Sequence, residues 1–201
     1  TRLEVEVKRQ GYVWRQSYRD GGTPLAPLER GEESDQTGTT ITFWPDDTIF
    51  DTVDFDYETL RSRFQQTAFL NKGLRISLVD ELPAAAFADD LDGQTVLQQR
   101  NDSFLYERGL VDYVEYLNKV RKTDVVNEEI IDFESEDTER KIALEVAMQW
   151  TTSYTENVFT FANNINTHEG GTHEEGFRAA LTTLVNRYAR ANNLLKEKDE
   201  N

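Results

Sequence analysis

The sequence predicts an α+β protein. Three observations carry that reading. Ile142, Leu144, Val146, Met148 and Trp150 alternate with their neighbours five times over, the period of a half-buried strand. Phe177, Leu181, Leu184, Val185 and Tyr188 repeat instead at helical spacing, so this face is expected to be buried. The strand patterns are joined by short polar links, Ser135 to Glu139 and Thr151 to Thr155, which favour antiparallel neighbours.

In chain order, Leu3, Val5 and Val7 alternate with charged residues as a strand. The Gln10-Gly11 turn and the alternating Tyr12, Trp14 and Tyr18 complete a hairpin. Gly21 to Pro27 holds two glycines and two prolines and breaks regular structure; Glu29 to Gln36 reads as a polar loop. Thr39 to Trp44 is β-branched and aromatic, a strand stopped by Pro45. Asp54 or Asp56 can cap a helix with Tyr57, Leu60, Phe64 and Ala68 on one face, and Gly73 ends it. Leu74, Ile76 and Leu78 form a further strand. The following segment, 82–104, has no clear period and reads as a mobile connection or insertion.

A helix over Gly109 to Val120 opens the second part, with Leu110, Tyr113, Val114 and Leu117 as its stripe. Ile130 to Glu134, Ile142 to Trp150 and Glu156 to Asn164 then predict a three-stranded antiparallel meander. Gly170-Gly171 turns the chain into a long C-terminal helix over His173 to about Leu195. Thr172 and Glu175 stand in the T-x-x-E spacing of a capping box.

Composition narrows the function classes. The 201 residues carry 22 basic and 38 acidic side chains, a formal charge of −16. Such a chain is a poor binder of nucleic acid by itself, since that affinity rests on neutralising phosphates. The charge is uneven: residues 31–60 hold nine acidic side chains and 123–139 hold eight, neither stretch with a basic one. Both read as solvated loops and helix starts. No cysteine is present, which removes disulfides and thiolate metal sites and suits the cytoplasm. No apolar run approaches the roughly 18 residues of a membrane span.

His168-Glu169 and His173-Glu174 are spaced H-E-x-x-x-H, and a Gly-Gly pair interrupts any helix that would hold both imidazoles. A metal site is therefore not expected, and no catalytic residue is assigned. Gly170-Gly171 at a helix N-terminus could hold an anion through its amides, but Glu174 and Glu175 would repel one. Neither a G-x-G-x-x-G nor a P-loop pattern occurs.

Three stretches carry a family resemblance. The run Asn163 to Phe177 (NNINTHEGGTHEEGF), the run Tyr106 to Asn118 (YERGLVDYVEYLN), and Thr37 to Pro45 (TGTTITFWP) with Phe69-Leu70-Asn71 resemble the DNA gyrase B family of type IIA topoisomerases. They follow in that family's order across nearly the whole chain, in an actinobacterial-like version. The resemblance implies a fragment. Residues 1–105 would be the latter part of a GHKL ATPase α/β sandwich, and 106–201 the first part of a split β-α-β transducer domain. The parent would be an ATP-dependent enzyme that introduces negative supercoils, working with ATP and magnesium, a gyrase A subunit, a second B subunit and DNA. The fragment would relay nucleotide state to the DNA gate, with no activity, cofactor or firm DNA binding of its own. Thr39 matches the threonine on the adenine side of that family's ATP pocket; the upstream magnesium ligand, the glycine-rich lid and the downstream Q-T-K loop are not recognisable. A topoisomerase IV B-type subunit, a decatenase, is the near alternative. A free-standing acidic interaction module is the distant one.

Overall fold

The computed structural model describes residues 2–81 and 100–195, which fall into two compact units, Thr1–Asp56 and Tyr57–Asn201. The first unit is a sheet. β1 (Arg2–Arg9) and β2 (Tyr12–Arg19) pair antiparallel through a two-residue loop in which Gln10 and Gly11 both take positive φ, 57° and 82°. That is the turn whose twist matches a hairpin's strands. β3 (Thr23–Pro24) and β4 (Glu29–Glu33) both pair with β2, and β5 (Gly38–Trp44) pairs antiparallel with β1. Cross-strand registers set Leu3, Tyr18 and Phe43 in one row and Val7, Trp14 and Thr39 in another on the same face.

β4 lies where the sequence predicts a loop. Its apolar content is nil, so no alternation marks it. Its pairing is polar instead: Arg15 donates to Glu6 and, with two nitrogens, to Glu32, while the Arg30 guanidinium sits 4.5 Å over the Tyr12 ring. The paired guanidinium holds the Glu32 carboxyl down at about 2.

The second unit opens with α1 (Tyr57–Leu70), followed by an antiparallel pair, β6 (Ile76–Val79) and β7 (Asn101–Phe104). Of the expected connection over 82–104, residues 82–99 lie outside the described residues, whereas 101–104 form β7 and are thus ordered strand. One apolar residue in Asn-Asp-Ser-Phe leaves no pattern to read; Phe104 is nevertheless buried.

α2 (Leu110–Arg121) precedes β8 (Ile131–Asp137) and β9 (Ile142–Met148), which pair over seven residues each. The meander's third strand does not join them. Beyond Met148 the chain is taken up by residues 125–127: Val126 donates its amide to Trp150 O, and Trp150 donates to Asn127 Oδ1, both at 2.8 Å. Glu156 to Asn164 supplies only β10 (Phe161–Ala162). This closes at once on β11 (Ile165–Asn166), because Asn163 and Asn164 take positive φ, 49° and 66°.

α3 (Thr172–Ala191) is the last element of the described residues and stops short of the expected Leu195. Two expectations about it fail. Gly171, not Thr172, is the N-cap, and no side chain caps the helix. The His173 ring lies where a Cβ on Gly171 would approach it to 2.9 Å, and Glu174 is drawn to Arg178 instead of the backbone. Its apolar face is not fully buried either: Phe177 and Leu181 are half-buried, whereas Leu184 and Tyr188 are 63% and 64% exposed. Amphipathic spacing marks a face able to be buried, and among the described residues no element covers its C-terminal part.

Candidate functional site

Thr39 stands on β5 opposite Val7, which pairs in turn with Trp14. It is exposed, at one end of a sheet face that continues through Ile41 to Phe43. At the other end, Leu3, Tyr18, Phe43, Phe50, Val53 and Phe55 line an apolar groove of about 620 Å³, where Phe43 and Phe55 meet edge to face at 5.9 Å. Four strand positions, roughly 13 Å, separate Thr39 from Phe43. The face offers the Thr39 hydroxyl at the margin of an apolar surface, while the Tyr18 hydroxyl at the groove donates to Gln16 Oε1 at 2.9 Å. Such a surface suits the edge and plane of a heteroaromatic ring, while the two cations lining the groove, Arg2 and Arg19, are already paired with Glu4 and Asp20. Among the described residues no group of three or more His, Asp or Glu side chains is arranged to hold a metal ion.

His168 is exposed, and His173 Nε2 shares a 3.1 Å hydrogen bond with Thr167 Oγ1. The two imidazoles therefore serve different surroundings. Beside them the Gly170-Gly171 turn is crowded by carboxylate: a Cβ on Gly170 would lie 3.0 Å from Glu174 Oε2.

The largest fully buried side chain among the described residues lies elsewhere, at the end of α1. Phe69 is 1% exposed and is surrounded by Tyr106, Tyr113 and Tyr116, with ring centroids at 3.6, 4.8 and 5.3 Å. In the sequence Phe69 and Tyr106 stand only as parts of separate motifs. Nothing in either stretch says that they stack. At the start of α1, Tyr57 donates its hydroxyl to Asp102 Oδ2 at 2.8 Å, and Arg61 Nε donates to the same oxygen at 3.0 Å. Burial first, then the Asp102 carboxylate, pushes the Tyr57 phenol up to about 12.

A second groove, of about 540 Å³, runs between α2 and the β8–β9 pair and is charged. Lys72 reaches Glu134 at 3.4 Å, and Arg108 donates to both oxygens of Glu115. Burial and the neighbouring Glu134 raise the Glu145 carboxyl above its ordinary range, although Lys72 and the Leu110 amide at the start of α2 oppose this. Gly109 is needed here: at φ 57° a Cβ would lie 3.3 Å from Lys72 Cβ. The region is built for close packing of α1 on α2.

Residues 109–201 match the family model described as DNA gyrase B. The whole chain is 53% identical to the DNA gyrase B subunit of Micrococcus luteus and 54% identical to that of Streptomyces coelicolor, both actinobacterial. It spans 31% and 29% of those subunits, so about three tenths of the length of the curated relatives it matches. Among solved structures, the 43K ATPase domain of Thermus thermophilus gyrase B, determined with an aminocoumarin, aligns with a TM-score of 0.78 at 28% identity, over all of this chain and 50% of that one. The gyrase B subunit of Myxococcus xanthus shares the fold, with a TM-score of 0.71 at 23% identity over 94% of this chain and 50% of that one. These relatives are gyrase subunits, so the topoisomerase IV alternative is not supported.

Proposed function

We propose, for a chain related over its whole length to DNA gyrase B subunits, that it is part of the ATPase and transducer region of such a subunit and serves ATP-dependent negative supercoiling of DNA in the cytoplasm. Likeness at 53–54% identity across every part of the chain is the observation that carries this reading. In it, residues 1–105 belong to the ATPase domain and 106–201 to the transducer. The chain's share is mechanical: it passes nucleotide state from the pocket toward the DNA gate.

Thr39 would meet the adenine edge of ATP, its hydroxyl standing beside the apolar row of Val7 and Trp14. ATP brings the phosphate-transfer chemistry, with magnesium, and their remaining holders are assigned to no residue of this chain. The partners are a gyrase A subunit, a second B subunit and DNA. With a charge of −16, the chain contributes little to the grip on DNA.

The test is a graft. This chain replaces the corresponding residues of the Streptomyces coelicolor protein, and the hybrid is assayed with its A subunit on relaxed plasmid. ATP-dependent negative supercoiling is expected. A folded hybrid that hydrolyses ATP or decatenates but introduces no supercoils overturns the proposal.

A further inference from the structure

Asn71 follows the last residue of α1 and uses both ends of its side-chain amide. Its Nδ2 donates to Thr67 O at 2.7 Å, one of the carbonyls a helix leaves without a partner at its C-terminus. A carbonyl only accepts, so this bond fixes which way the amide faces. Oδ1 is left to accept from Asn164 Nδ2 at 3.1 Å, across 93 residues of chain. Asn164 is itself held in place as the second residue of the tight β10–β11 turn, at φ 66°.

From that turn β11 carries the chain to Thr167, whose polar contacts reach α3. Thr167 donates its amide to Thr160 O at 2.9 Å and its hydroxyl to the same oxygen at 3.0 Å. The Thr167 oxygen shares the 3.1 Å hydrogen bond with His173 Nε2, on the second residue of α3. Gly170 donates its amide to Thr167 O at 2.9 Å. The two ends of this connection differ in character. α1 is anchored by the buried Phe69, whereas α3 has no buried residue at all. Phe177 and Leu181 are only half-buried, Arg178 reaches Glu156 at 3.0 Å, and most of the helix beyond them is exposed, so the direction of α3 is set by contacts near its base.

We infer that the Asn71–Asn164 amide pair is a positioning contact through which the end of α1 sets the orientation of α3. The inference rests on the relay function proposed above, in which α1 belongs to the ATPase part and α3 to the transducer. A hydrogen bond between two amides breaks and re-forms without rearranging a packed core. It can therefore have two discrete states, which a relay requires.

Asn164→Gly is the informative variant, because glycine keeps the positive φ at no steric cost and leaves the Asn71–Thr67 bond intact. Amide hydrogen exchange on the 201-residue chain is the first measurement. Asn164→Gly and Asn71→Ala are each expected to speed exchange at Glu174 to Gly176 by about fivefold, and the double variant no further than either single one. Exchange in α2 should stay unchanged. If Asn71→Ala also loosens α1, Asn164→Gly carries the result alone. Unchanged exchange at the base of α3, or additive effects in the double variant, overturns the inference.

The second measurement uses the grafted gyrase B protein. Asn164→Gly should leave ATP hydrolysis within about twofold while supercoils introduced per ATP fall by about fivefold. An unaltered ratio overturns the coupling role. A graft that never supercoils before any substitution counts against the proposed function instead, and the exchange result still judges the contact.

Discussion

The ring of Phe69 lies against that of Tyr106, centroids 3.6 Å apart and planes inclined by 18°. Phe69 is the last aromatic side chain of α1, and Tyr106 lies just before α2, so one stacked pair joins two stretches that the sequence separates widely. Gly73 reinforces the joint by donating its amide to Tyr106 O at 2.9 Å. Phe69→Ala removes a fully buried ring and leaves three tyrosines around a void, which should cost about 3–5 kcal/mol. Denaturant unfolding of the variant measures this, and a loss below about 1 kcal/mol would mean the ring is not central to the unit.

Because Gly171 rather than Thr172 is the cap, the two neighbours should respond unequally. Thr172→Ala removes no capping bond and should change stability by less than about 0.5 kcal/mol. Gly171→Ala sets a Cβ 2.9 Å from the His173 ring at φ 153°, and should cost about 1–2 kcal/mol. Thermal melts of the two variants make the comparison; the reverse order would restore the capping box.

Tyr57 should ionise well above the ordinary phenol range, at about 12. The folded phenol holds its proton more firmly than the unfolded one. Its share of stability is therefore present below pH 10 and is lost as pH rises towards about 12. Asp102→Asn removes the carboxylate that raises it, so the Tyr57 transition should move down. Ultraviolet absorbance titration at the phenolate band reads both proteins.

Glu145 works in the same sense at acid pH. Its carboxyl is raised by burial and by Glu134, so the folded state binds the proton more tightly than the unfolded state. Stability from this group is complete below the ordinary carboxylate pKa and declines as pH climbs through the raised one. Glu145→Gln should then stabilise the second unit at neutral pH and make no difference in acid. Denaturation midpoints of the two proteins in acid and at neutral pH check the sign; a variant less stable at neutral pH would refute it.

For nucleotide, the 201-residue chain alone should show no ATP binding at micromolar concentrations, since affinity at that level requires about 8 kcal/mol. One threonine hydroxyl supplies only about 0.5–1.5 kcal/mol. In the grafted protein, Thr39→Ala should weaken ATP binding several-fold with no change in melting temperature. Calorimetry on the three proteins measures it, and magnesium-dependent binding by the chain alone would show that the residues holding phosphate have been misassigned.

Local chemistry by itself determined much of this molecule. Alternation at Leu3, Val5 and Val7 with the Gln10-Gly11 turn is enough for the first hairpin. Helical spacing from Tyr57 places α1, and the motif stretches point to the family because they are strings of residues rather than contacts. Tertiary structure decided the rest. β4 and β7 are strands of polar residues, held by ion pairs and by one buried phenylalanine, and no period betrays them. The cap of α3 went to Gly171 because His173 turned back toward Thr167, a residue outside any helix-start pattern. The C-terminal part of the α3 face stays open because burial needs a second surface, and amphipathic spacing specifies only one. The Phe69 stack and the Asn71–Asn164 bond join residues 37 and 93 positions apart. Their energy depends on where the intervening chain carries them, and no window of sequence contains both partners.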